Sequence, residues 1–140
     1  MKPNNFFYVK CPDENRFFRS WVEFQTPYHH LTPREKDVAA RILQQYFKLK
    51  SSMPDDSDPD VLIELLWSRN SRKDMIASLE MTQPHFQMTL GKLRESGFLE
   101  GDKIGAKYLP SMIPGGKLLV LQVMFDWSSS SNPQPNAQPA

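Results

Sequence analysis

Two capped helical patterns, separated by only a few residues, constrain this chain more than any other feature of its sequence. Ser71-Arg72-Lys73-Asp74 is a Ser-x-x-acid start, where a hydroxyl accepts from an early backbone N–H and the acid reaches back. Met75, Ile76 and Leu79 then predict a short amphipathic helix that ends near Glu80 or Met81. Thr82 offers a fresh N-cap, with Gln83 and Pro84 in the turn that follows. Phe86, Leu90 and Leu93 recur at i, i+4 and i+7, so the second helix also buries one face. Gly97 fits the left-handed position just past its end. Helices joined this tightly must cross at a steep angle, which leaves the second free to protrude from the body.

Beyond that pair the pattern changes. Phe98 and Leu99 are followed by Gly101-Asp102-Lys103, which reads as a turn, and Ile104 to Leu109 is expected as a strand. Pro110 to Gly116 reads as a loop. Leu118 to Phe125 is the strongest strand candidate, apolar on both faces apart from Gln122, and so expects cover on both sides. Ser128 to Ala140 contains only Ser, Asn, Pro, Gln and Ala and is expected to be disordered.

Upstream, Phe6 to Val9 predicts a strand or an anchored arm. Phe17, Phe18, Trp21 and Val22 share one helical face, with Asp13 as the cap and Pro27 as the expected stop. Thr32-Pro33-Arg34-Glu35 carries a full capping box with proline at the first helical position. Val38, Ala39, Ile42, Leu43, Tyr46 and Phe47 then mark a buried face, and Lys48 and Lys50 suit the helix's negative end. Ser51 to Pro59 reads as an exposed loop. Asp58-Pro59 starts another short helix through Val61, Leu62, Leu65 and Leu66, expected to end at Ser68 to Asn70.

At 140 residues the chain suits one domain with terminal extensions. Nine Phe, four Tyr and three Trp supply enough apolar bulk for a core. Seventeen bases against sixteen acids give a net charge of +1, but the charge is unevenly placed. Asp55, Asp56, Asp58, Asp60 and Glu64 form an acidic stretch with no base. Without those five, seventeen bases face eleven acids, or +6, so a modest basic surface is compatible with the near-neutral total.

The segment Ser71 to Glu100 resembles the winged helix-turn-helix of bacterial, phage and plasmid DNA-binding proteins. Ile76, Ala77 and Leu79 match that family's first helix. Thr82, Phe86, Leu90, Leu93, Gly97, Phe98 and Leu99 match its second helix and the step into the wing. Leu31 to Lys50 resembles the helix that precedes the motif. The resemblance implies an α+β, mainly α fold, with an N-terminal extension over residues 1–30, a winged-helix domain over 31–127 and a tail over 128–140. It also implies a sequence-specific double-stranded DNA binder, either a transcriptional regulator or a replication initiator, that inserts the helix of residues 82–96 in the major groove.

At 100° per residue, Pro84, His85, Met88, Gly91, Lys92 and Glu95 lie opposite the apolar face, with Gln83, Gln87 and Arg94 on the flanks. Amides suit adenine edges and lysine suits guanine or phosphate. Gln83, His85, Gln87 and Met88 are therefore the expected base readers, and Lys92 is expected on a phosphate. Thr82 caps the helix and can donate to a phosphate. Arg72 and Lys73, at the start of the first helix, are expected to grip the backbone, as are Lys103 and Lys107 beside the wing. One module reads few base pairs, which suggests a homodimer; the Leu118 to Phe125 strand or the Phe6 to Val9 run would supply its contact.

A competing reading treats the same fold as a protein-interaction module of a phage particle or replication assembly. Near-neutral charge and Glu95 on the protruding helix favour it. No enzyme, cofactor or metal is expected. The sequence has no glycine-rich phosphate loop and no Ser-His-Asp arrangement, and the lone Cys11 rules out an intramolecular disulfide. Adjacent His29 and His30 cannot both face one site, and the acidic run lacks the glycine and glutamate of a calcium loop. With no signal-like N-terminus and no apolar run near membrane length, the expected location is the cytoplasm, of a host cell if the chain is viral.

Overall fold

The structure is a computed structural model and describes residues 13–110. The expected Phe6 to Val9 arm, the Leu118 to Phe125 strand and the residue 128–140 tail lie outside the described residues. Among the described residues the fold is mainly helical, with one small antiparallel hairpin, a shape compatible with a helical bundle carrying a wing. In order come α1 (Glu14–Phe24), α2 (Thr26–His29), α3 (Pro33–Ser51), α4 (Pro59–Leu66), α5 (Arg69–Leu79) and α6 (Gln83–Ser96). Strands β1 (Leu99–Glu100) and β2 (Lys103–Ile104) follow, then a 3₁₀ turn, Ala106–Tyr108.

Local capping chemistry sets most of the helix starts. The Asp13 carboxylate accepts from the Arg16 N–H at 2.8 Å. Thr32 and Glu35 close a reciprocal capping box, and Asp58 accepts from the Asp60 N–H. Thr82 accepts from the His85 N–H at 3.2 Å. Each satisfies a backbone donor that the first helical turn leaves without a partner.

Three expectations are corrected. Pro27 does not stop the first helix: α1 ends at Phe24, and Pro27 sits in the first turn of α2, where its missing N–H costs nothing. Ser71 does not cap α5. Ser68 does, accepting from the Ser71 N–H at 3.3 Å, so α4 ends at Leu66 and α5 begins at Arg69. Ser71 instead points inward and accepts from the Gln45 side-chain amide at 3.1 Å. Ile104 to Leu109 is not a strand. Only Lys103–Ile104 forms the strand: the Gly105 N–H adds one last bond in register, to the Phe98 carbonyl at 2.8 Å, and the Tyr108 N–H then turns back to the Gly105 carbonyl at 2.9 Å, coiling the chain.

Helix α3 is the centre of the core, and α1, α4, α5 and α6 all pack on it. Val22, Val38, Ile42, Leu43, Leu66, Met75, Phe86, Leu93 and Phe98 are all fully buried. The Lys36 ammonium is drawn inside with them and donates to the Glu23 carboxylate at 2.8 Å. Lys36 first, then Arg19, holds the Glu23 carboxyl down to about 2. A clasp joins the two ends of the described chain. The Trp21 indole N–H donates to the Tyr108 carbonyl at 2.8 Å, and the Gln25 amide donates to the Lys107 carbonyl at 3.0 Å.

Candidate nucleic-acid interface

The α5–α6 connection is three residues long, and its geometry follows from one of them. Glu80 adopts the left-handed conformation (φ 54°, ψ 47°), which ends α5 and turns the chain. Met81 passes the chain to Thr82, and the Thr82 cap opens α6. Phe86, Leu90 and Leu93 seat α6 on the body with almost no exposure. Thr89, also buried, spends its hydroxyl on the His85 carbonyl at 2.9 Å and leaves no orphan donor inside.

The outer face of α6 is as the periodicity predicts. Gln83, Pro84, His85, Gln87, Met88, Lys92 and Glu95 are all exposed, and Met88 retains 67% of its surface. From Gln83 to Arg94 the helix carries no carboxylate. Glu95 is the exception and reaches Lys92 at 3.6 Å, one turn back. Lys92 is thus partly committed within its own helix, a pairing that the i, i+3 spacing makes available.

The hairpin is small and tied down. Leu99 pairs with Ile104 facing the core, while Glu100 pairs with Lys103 facing solvent. Gly101 (φ 65°) takes the first central position of the two-residue turn, as a type II′ connection requires. Both turn carbonyls accept side-chain donors: Gly101 from the Arg94 guanidinium at 3.1 Å, Asp102 from the Trp67 indole at 2.7 Å. Arg94, expected on the flank of α6, therefore braces the hairpin tip. Lys103 stands directly across from Glu100, which offsets its charge. Lys107 lies in the 3₁₀ turn, its ammonium 5.3 Å from the centre of the Tyr108 ring.

Arg72 and Lys73 do not sit at a helix start. Since α5 begins at Arg69, they lie in its second turn, with Lys73 exposed and Arg72 half-buried. The exposed cation at that helix start is Arg69, which the sequence reading passed over. The signal that identifies it is the earlier serine, Ser68, three residues ahead of Ser71. His29 is a buried structural group: its ring accepts from the Leu31 N–H at 3.0 Å and donates to the Val22 carbonyl at 2.8 Å. Among the described residues no cluster of three or more His, Cys, Asp or Glu could hold a metal ion, and no helix is long and apolar enough to cross a membrane.

Comparison with protein-family models, curated proteins and solved structures returned no match. The functional reading therefore rests on the geometry of α5, α6 and the hairpin.

Proposed function

We propose that this chain is a non-enzymatic, sequence-specific double-stranded DNA-binding protein of the winged helix-turn-helix type, acting as a transcriptional regulator or replication initiator. Helix α6 enters the major groove with Gln83, His85, Gln87 and Met88 toward base edges. Thr82, Arg72, Lys73, Lys92, Lys103 and Lys107 meet the backbone. The observation that carries the reading is the N-terminal half of α6: exposed, free of carboxylates, rich in side-chain amides, and seated on a rigid apolar base. The positive end of a helix dipole lies at that same end and favours phosphate. Glu95 marks where α6 leaves the groove.

Fluorescence anisotropy with random-sequence duplex at low and moderate salt tests the reading. Wild type binds, and affinity falls as salt rises, with a log–log slope of about 0.9 per phosphate contact. A Gln83→Ala, Gln87→Ala, Lys92→Ala triple variant loses most of that binding. If wild type fails to bind even at low salt, the DNA reading is lost.

The second reading, a protein-interaction module, is favoured by Met88, a large apolar side chain 67% exposed at the middle of the same face. On that reading Met88→Ala abolishes partner capture while duplex binding is absent from the outset.

A further inference from the structure

Away from the α6 face, a cleft of about 350 Å³ opens between α1, α3 and the end of α5. Arg19, Asp37, Arg41, Gln44 and Ser78 line it. Its single carboxylate is already committed. Asp37 accepts from the Arg19 Nε at 2.8 Å and faces the Arg34 guanidinium at 3.7 Å. Arg41 is in a different position. Its Nε donates to the Ser78 hydroxyl at 2.6 Å and its Nη1 to the Gln45 amide oxygen at 2.8 Å. Both acceptors are neutral. Among the described residues Arg41 has no carboxylate in ion-pair contact, and Asp74 acts on it only from a distance. Its Nη2 makes no hydrogen bond among those residues.

A half-buried guanidinium normally draws a carboxylate partner, because charge taken from water is costly without one. Here two neutral groups aim the fork instead, and a planar fork held in this way suits phosphate oxygens. The Arg19 guanidinium is taken up by Asp37 and by Glu23, to which its Nη1 donates at 2.9 Å. Arg41 is thus the cation the cleft has to offer an anion, with the Gln44 amide as a neutral donor beside it. Four of the last five α5 carbonyls already accept a hydrogen bond, that of Ser78 being the exception among the described residues. Leu79 accepts from Arg34, Met75 from Ser78, and Ile76 and Ala77 from the backbone N–H groups of Met81 and Glu80.

We propose that this cleft binds the phosphate group of a small molecule, with Arg41 as the primary ligand and the Gln44 amide beside it. A recess of about 350 Å³ lies at the small end of ligand pockets and suits a compact phosphate ester or diphosphate. The site is separate from the proposed DNA-reading face and stands whether or not the chain binds DNA.

Isothermal titration with inorganic pyrophosphate at fixed ionic strength tests it, using wild type, Arg41→Gln and Gln44→Glu. Arg41 also braces Ser78 and Gln45, so Gln44→Glu is the variant that adds a negative charge to the cleft without disturbing those bonds. Wild type takes up pyrophosphate, and each variant weakens that uptake by about tenfold or more, the scale of a charge-assisted contact. No uptake by wild type, or equal uptake by a folded Gln44→Glu, overturns the proposal. Duplex anisotropy of Gln44→Glu is the second arm. Unchanged duplex binding, or none by either protein, fits a small-molecule site; a selective loss of duplex binding assigns the cleft to a backbone phosphate and overturns it.

Discussion

His29 shows how one buried side chain ties stability to pH. Its Nδ1 accepts the Leu31 N–H, so the proton of the neutral ring sits on Nε2 and donates to the Val22 carbonyl. A second proton would have to go on Nδ1, against the Leu31 N–H. Burial, foremost, holds the imidazole pKa below its ordinary 6.5. As pH falls through that value the unfolded chain takes up a proton that the folded chain refuses. Stability is therefore full above the unfolded pKa and declines below it. Urea unfolding midpoints are expected to drop between about pH 7 and pH 5 in wild type, and to drop less in His29→Gln. Equal slopes in the two proteins would remove His29 from the account.

At the scale of elements, the sequence was legible wherever the deciding chemistry is local. The Thr32, Asp58, Asp13 and Thr82 caps each satisfy a backbone N–H two or three residues away, so residue type and spacing suffice to place them. The outer face of α6 was legible for the same reason, since Phe86, Leu90 and Leu93 define its inner face by periodicity alone. What stayed hidden depends on distant partners. Ser68 and Ser71 are equally good caps on paper. Gln45, far back in α3, decides between them by drawing Ser71 inward. A strand over Ile104 to Leu109 is plausible until Gly105 is placed against Gly97, where an added Cβ would lie 2.8 Å from the Gly97 carbonyl oxygen. The commitments of Lys92 and Arg94 likewise emerge only once neighbours are in position. Glu80 yields a prediction at this scale. It holds a left-handed conformation that an L side chain adopts at a cost of about 1–2 kcal/mol and glycine adopts freely. Glu80→Gly is expected to stabilise the protein by about 1 kcal/mol in chemical denaturation, without weakening duplex binding. Destabilisation would mean that Glu80 makes a contribution other than its backbone geometry.

For the described part of the molecule as a whole, α3 holds the core together while α1 closes it. Phe18 stacks on Phe47 of α3 at 5.5 Å, and on the other side Trp21 and Gln25 reach the backbone at Lys107 and Tyr108. Trp21→Phe keeps most of the apolar surface and deletes the donor, leaving the Tyr108 carbonyl without that partner. A loss of about 1–2 kcal/mol is expected, with faster amide exchange in α1 and the 3₁₀ turn together. Faster exchange in α1 alone would show that the two ends are not coupled.

That clasp also bears on how the chain folds as it is made. Its partners are 82 and 87 residues apart in sequence, so neither bond can form until the ribosome has released nearly the whole described stretch. Until then α1 emerges with its aromatic face only partly covered. Closing so long a loop carries an entropic cost before any contact rewards it. Synthesis therefore leaves the N-terminal helices waiting for Tyr108, and a ribosome stalled before that point holds an aromatic surface open to chaperones.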